Sequence, residues 1–122
     1  MSIKPLLKNN LATFSKRFEC FKDAEFRSLE VLSPTTMSAT FATQDGARAF
    51  DWITITLEFS GISDAKLLES SKLHLVDMSD GISLIYDNNF AFAIGDYNNI
   101  SNIKNSISYI ICTDLKYKEG LF

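Results

Sequence analysis

Histidine, cysteine and clustered carboxylates are where this 122-residue chain would keep any chemistry, and they are few and scattered. His74 is the only histidine, with no Cys or His partners at the spacing of a zinc site, and Cys20 lies too far along the chain to be paired with it by sequence. A lone histidine in a strand-like segment is ordinarily a structural residue. Asp77, Asp80 and Asp87 gather around one Asp-Gly turn, but without the alternating oxygen ligands of a calcium loop. Turn chemistry accounts for them, because Asp and Asn bond their own backbone there. Gly46, Gly61, Gly81, Gly95 and Gly120 each stand alone at a turn and form no phosphate cradle. Serine is abundant, yet no G-x-S-x-G elbow accompanies it. The residues therefore predict no catalytic group, metal ligand or cofactor site, and a protein that is not an enzyme.

Charge is more informative than reactivity. The net charge is −3, which argues against nucleic acid as a partner, since neutralising phosphates needs a basic face. Its distribution is uneven. Residues 1–22 carry Lys4, Lys8, Lys16, Arg17 and Lys22 against Glu19 alone, whereas residues 73–103 carry only Asp77, Asp80, Asp87 and Asp96. Those four aspartates are either solvated turns or an acidic strip that steers a basic partner, and they are the candidate partner-binding residues.

A chain of this length makes one domain, residues 1–122, and buries enough surface for a core without metals or crosslinks. No apolar run reaches the roughly 20 residues of a spanning helix, and the first residues lack a signal peptide's apolar stretch. Membrane is thus not an expected partner. The cytoplasm is the expected location, with Cys20 and Cys112 reduced and buried.

The stretch FDWITITLEF at residues 50–59 organises the rest. It is β-branched and aromatic, and places Ile53, Ile55, Leu57 and Phe59 on one face. Burying each contributes roughly 1.5–3 kcal/mol relative to exposure. Residues 3–18 place Ile3, Leu7, Leu11, Phe14 and Phe18 at helical steps with lysines largely off the stripe, and Ser2 as a cap. This reads as an amphipathic helix docked on a sheet, a membrane-surface helix being the alternative. Residues 25–33 and 36–44 read as strands around Ser33-Pro34-Thr35-Thr36. A loop of odd length at Asp45-Gly46, or a bulge, would put Met37, Ala39 and Phe41 on the Ile53 face, with position 41 opposite 51 and 39 opposite 53. Ser63 followed by DAKLLES suggests a short capped helix. Residues 72–78 and 82–87 flank Asp80-Gly81 as a hairpin, 90–94 and 106–115 are further strands, and 95–105 is a loop. The fold class is α+β: an antiparallel sheet of about six or seven strands, the first helix on one face, and a short helix between strands three and four.

Two local patterns carry a resemblance. FKDAEFRSLEVLSPTTMSATF followed by WITITLEFSGISDAKLL resembles the small bacterial immunity proteins of polymorphic toxin systems, in which a Phe-His-Asp-Ala-Glu-like strand opening precedes two strands and an L-x-F-x-G-V-x-D-like strand end. Phe21, Asp23, Ala24 and Glu25 match the first pattern, and Leu57, Phe59, Gly61 and Asp64 the second. Lys22 stands where the pattern has histidine, so no role is carried to that position. The resemblance implies a cytoplasmic inhibitor that binds one cognate protein toxin, many of which have basic, nucleic-acid-binding clefts. Two other classes fit the residues: a structural or regulatory module forming a homodimer through a sheet edge, and a small-ligand carrier lined by Phe90, Phe92 and Tyr97.

Overall fold

The computed structural model describes residues 3–122, so Ser2, the expected helix cap, lies outside the described residues. Among the described residues nine antiparallel strands form two sheets. β1 (Lys4–Pro5), β2 (Glu25–Ser33), β3 (Thr36–Asp45), β4 (Asp51–Ser60) and β9 (Asp114–Leu121) make a five-stranded sheet in the order β1-β9-β4-β3-β2. β5 (Asp64–Lys66), β6 (Ile82–Asp87), β7 (Asn89–Ile94) and β8 (Tyr109–Cys112) make a four-stranded one in the order β5-β8-β7-β6. The chain is α+β and antiparallel as read from its sequence, but with two sheets in place of one. The helices are short: α1 (Leu11–Arg17) and α2 (Ile100–Ile103).

The aliphatic row of β4 is the centre of the core. Ile53, Ile55, Leu57 and Phe59 are buried while Thr54, Thr56 and Glu58 between them are half-buried on the open face. β3 pairs Ala39 with Leu57 and Phe41 with Ile55, so Met37, Ala39 and Phe41 share the Ile53 face. The loop is five residues long, Asp45 pairing with Asp51, and the expected pairs of 41 with 51 and 39 with 53 are each displaced by four residues on β4. Ala49 and Phe50 in left-handed conformations turn this loop, which leaves Phe50 exposed and outside the strand.

The small sheet is covered on both sides, and its alternation explains how. Phe90, Phe92 and Ile94 of β7 point into the shared core, where Phe92 packs against Phe41 and Phe59 of the large sheet. Ala91 and Ala93 point the other way and leave room for Ile103 of α2. Large residues inward and alanines outward let one strand serve two layers.

One strand pair joins the sheets. β4 pairs with β9 through Ser60 and Asp114, and beyond the bend β5 pairs with β8 through Asp64 and Ile111. The expected last strand over 106–115 is therefore two strands bent at Thr113. Gly61 makes the bend, with φ +66, and a Cβ there would strike the Thr113 hydroxyl.

The N-terminal segment is less helical than its periodicity suggests. Leu6 donates its N–H to Leu115 O at 2.9 Å, which ties residues 4–6 to the edge of β9 as extended chain. The helix then starts at Leu11 and inserts Leu11 and Phe14 into the core, Phe14 stacking on Tyr117 with ring centroids 4.8 Å apart. DAKLLES forms no helix: its first three residues, Asp64–Lys66, are β5, paired with β8, and residues 67–69 have no regular structure. Residues 72–78 are not a strand either; Ser70–Leu75 is a 3-10 turn lying beside β2.

Both cysteines are free. Cys112 is buried, and burial pushes its thiol up to about 12, while Cys20, expected to be buried, is half-buried on a turn. Iodoacetamide at pH 8 is expected to label Cys20 and spare Cys112 until the protein is unfolded. Equal labelling of the folded protein, read by peptide mass, would contradict this burial.

Candidate functional site

Three chain segments meet at one end of the molecule and bring five exposed carboxylates together. The first is the turn after α1. Glu19, Cys20 and Phe21 all have left-handed backbones, with φ 52, 57 and 61, and Asp23 follows with φ 61. Such conformations cost roughly 1–2 kcal/mol each for residues with a Cβ. Burial holds the turn in place: Phe18 and Phe21, on either side of Cys20, are fully buried and pack with ring centroids 5.4 Å apart.

The second segment is the Asp77–Gly81 turn, and the third is the bend after β7. Asp23 N donates to Met78 O at 2.8 Å, and Gly95 N donates to Gly81 O at 2.9 Å. Gly81 has φ +70, and a Cβ on it would collide with the Cys20 carbonyl oxygen. Three backbones are thus locked together by direct hydrogen bonds and one close approach. On them stand Glu19, Asp23, Asp77, Asp80 and Asp96, all exposed, against Lys22 alone. Two hydrogen bonds from Ser79, the backbone one strongest, hold the Asp77 carboxyl below the usual carboxylate range.

Of the four aspartates read from the sequence, three are brought together here. Asp87 is not among them: it closes the β6–β7 hairpin, pairing with Asn89 around Asn88. It is separated from Asp80 by the whole of β6, about 20 Å at strand rise. The strip is therefore split between the two ends of one strand. Glu19 and Asp23 were missed because in sequence they belong to the basic N-terminal stretch, and only the tertiary hydrogen bonds place them beside Met78.

His74 sits exposed on the 3-10 turn. Phe90 and Phe92 belong to the core whereas Tyr97 packs on the opposite side of β7, so the expected lining of a ligand carrier is divided between two layers. Three clefts, of about 370, 350 and 540 Å³, are open at the surface, and none of the three is lined by those residues. Among the described residues no three His, Cys, Asp or Glu side chains gather as a metal site, and no helix is long and apolar enough to cross a membrane.

Three of the patterned residues of the immunity-protein resemblance fall on backbone irregularities of the fold. Phe21 and Asp23 belong to the left-handed turn, and Gly61 is the bend between the sheets. Asp64 accepts from Tyr109 Oη at 3.1 Å and pairs with Lys104 Nζ at 3.5 Å, fastening β5 to the segment before β8.

A second charged cluster is built on Arg17, the last residue of α1 and two residues before the acidic turn, and it is internally satisfied. Asp45, wholly buried, accepts from Arg17 Nε at 2.8 Å and Nη2 at 2.7 Å and from the Ala47 N–H at 2.9 Å. Glu119 accepts from Arg17 at 3.0 Å and Arg48 at 2.7 Å. The Arg17 hydrogen bonds hold the Asp45 carboxyl below its ordinary range, and Arg17 is raised in turn. This network ties α1 to β3 and β9, whereas the acidic end has no such partners. Compared with family models, curated proteins and solved structures, the chain matches none.

Proposed function

We propose that this chain is an immunity-type binding protein, which neutralises a cognate bacterial toxin in the cytoplasm by one-to-one binding and without chemistry of its own. The observation that carries the reading is the acidic end: five exposed carboxylates against one lysine, on three turns whose backbones are fastened to each other. A rigid, singly signed surface speeds encounter with a basic cleft and excludes partners of the wrong charge. The resemblance in Phe21–Glu25 and Leu57–Asp64 favours the same class. An inhibitor of this kind occupies the toxin's active site and needs no catalytic residue.

The test begins with the protein encoded immediately upstream of this chain's gene. Co-expression is expected to relieve its toxicity, and a tagged chain to retain it in a one-to-one complex. Reversing Asp77, Asp80 and Asp96 to lysine is expected to slow association by about 10- to 100-fold at low salt. Asp87→Lys, at the other end of β6, is expected to leave the rate near wild type. No complex and no rescue would remove the proposal, and equal effects of the two charge reversals would remove the acidic end from it.

A further inference from the structure

The acidic end borders a small cleft that arises from unequal strand lengths. β2 begins at Glu25, opposite Ala42, so Thr43 and Gln44 of β3 run on past its end. The chain just before β2 is the left-handed turn, which brings Glu19, Lys22 and Asp23 to the gap. Trp52, opposite Gln44 on β4, supplies the other wall; its ring packs on Phe122 with centroids 5.5 Å apart and is still 41% exposed. The space enclosed is about 90 Å³, room for the head of one side chain and well below the size of a site for a larger ligand.

The lining is rich in acceptors. Among the described residues no ion pair engages Glu19 or Asp23, not even one with neighbouring Lys22. Gln44 Nε2 donates to Phe50 O at 3.3 Å, which leaves the Gln44 side-chain oxygen to accept. Thr43 points to a ligand independently of the carboxylates. It is only 2% exposed, and its hydroxyl bonds no protein atom among the described residues, where every fully buried side-chain N or O has a partner. The hydroxyl therefore opens on the cleft that Thr43 lines. A hydroxyl so nearly withdrawn from water gains more from a donor placed there than an exposed one would.

We infer that this cleft takes the guanidinium head of an arginine side chain from the bound partner. Four acceptors call for a group with many donors, and arginine carries five N–H groups in one rigid plane. That plane also stacks on an aromatic ring, whereas a lysine ammonium is a compact, strongly hydrated point charge. Two carboxylates against one ammonium at Lys22 leave one negative charge for one guanidinium. That the arginine belongs to a toxin rests on the reading above; that the cleft binds the group does not.

Trp52 is the only tryptophan, so its fluorescence reports on the cleft. Titrating the intact protein with N-acetylarginine methylamide is expected to give a saturable change with a midpoint of roughly 1–10 mM, as suits so small a ligand. The lysine counterpart should bind several-fold more weakly, and the citrulline counterpart, uncharged but of the same shape, should not saturate. Glu19→Gln with Asp23→Asn is expected to weaken the arginine probe about tenfold or more, and Lys22→Gln to tighten it about twofold. Reversing Asp77, Asp80 and Asp96 should leave the midpoint within about twofold at physiological salt. Saturation by citrulline, an equal response to lysine, or indifference to the Glu19 and Asp23 variants would overturn the inference. In the complex with the protein encoded upstream, Trp52→Ala is expected to raise the dissociation rate about 100-fold, as loss of a central aromatic anchor does. Trp52→Leu, which keeps an apolar contact with Phe122 but has no ring, replaces it should alanine not fold. An unchanged dissociation rate would overturn the partner's arginine and spare the acidic end. No complex at all, with the probe still saturating, would remove the toxin and uphold the cleft.

Discussion

Gly81→Ala is expected to destabilise the protein by about 3 kcal/mol or more, lowering its melting temperature by roughly 10 °C. Two costs combine. Alanine at φ +70 occupies a conformation worth roughly 1–2 kcal/mol in strain. Its Cβ would also meet the Cys20 carbonyl oxygen, with the Lys22 N only 3.0 Å away. These are backbone atoms of a turn pinned by buried Phe18 and Phe21, so no side chain can move aside. Gly61 differs in this respect, since what a Cβ would strike there is the Thr113 side chain. Relief at Gly81 can come only from separating the post-helix turn from the Asp77–Gly81 turn, which breaks the bond from Asp23 N to Met78 O. Urea unfolding measures the loss, and a wild-type midpoint would show that the three backbones are not packed as described.

Asp45→Asn is the second large effect, expected at about 2–3 kcal/mol. Breaking a buried ion pair costs roughly 3–5 kcal/mol when the abandoned charge has no other partner. Here Arg17 keeps Glu119 and is a quarter exposed, so the lower figure applies. The pH dependence follows from the direction of the shift. Asp45 titrates lower in the folded protein than in the unfolded chain, so its contribution is complete above the ordinary carboxylate value near pH 4. It is lost as the pH falls through the folded value below that. Wild type should therefore lose stability steeply below about pH 4, and the asparagine variant should show a shallower acid limb. Parallel limbs from pH 7 to 2.5 would mean that other carboxylates govern acid unfolding.

The parts of the fold legible in the sequence are those whose side chains alternate without help from elsewhere. β2 and β3 lie within a residue of their expected bounds, and the parity of the β3–β4 loop follows from keeping Met37, Ala39 and Phe41 with Ile53. Where a distant partner claims a segment, local pattern misleads. Periodicity over 3–18 predicts one helix, but pairing with β9 takes the first residues and the left-handed turn stops the last. DAKLLES has good helix formers and is nonetheless not helical, because β8 takes its first three residues as a neighbouring strand. The acidic strip was partly legible. A strand recognised between Asp80 and Asp87 already implies that they stand at its opposite ends. Glu19 and Asp23, by contrast, join Asp77 only through a hydrogen bond spanning more than 50 residues of chain, for which the local sequence offers no signal.

The bend at Gly61 and Thr113 has a consequence for how the molecule comes apart. The two sheets share one ladder, since the β4–β9 pairing continues past the bend as β5–β8 and Phe92 is wedged against Phe41 and Phe59 across the join. Loosening one layer strips the other of a neighbour and of half its interior at once. The two layers are thus thermodynamically a single object, with slow amide protons on β4 and β8 released by the same global opening.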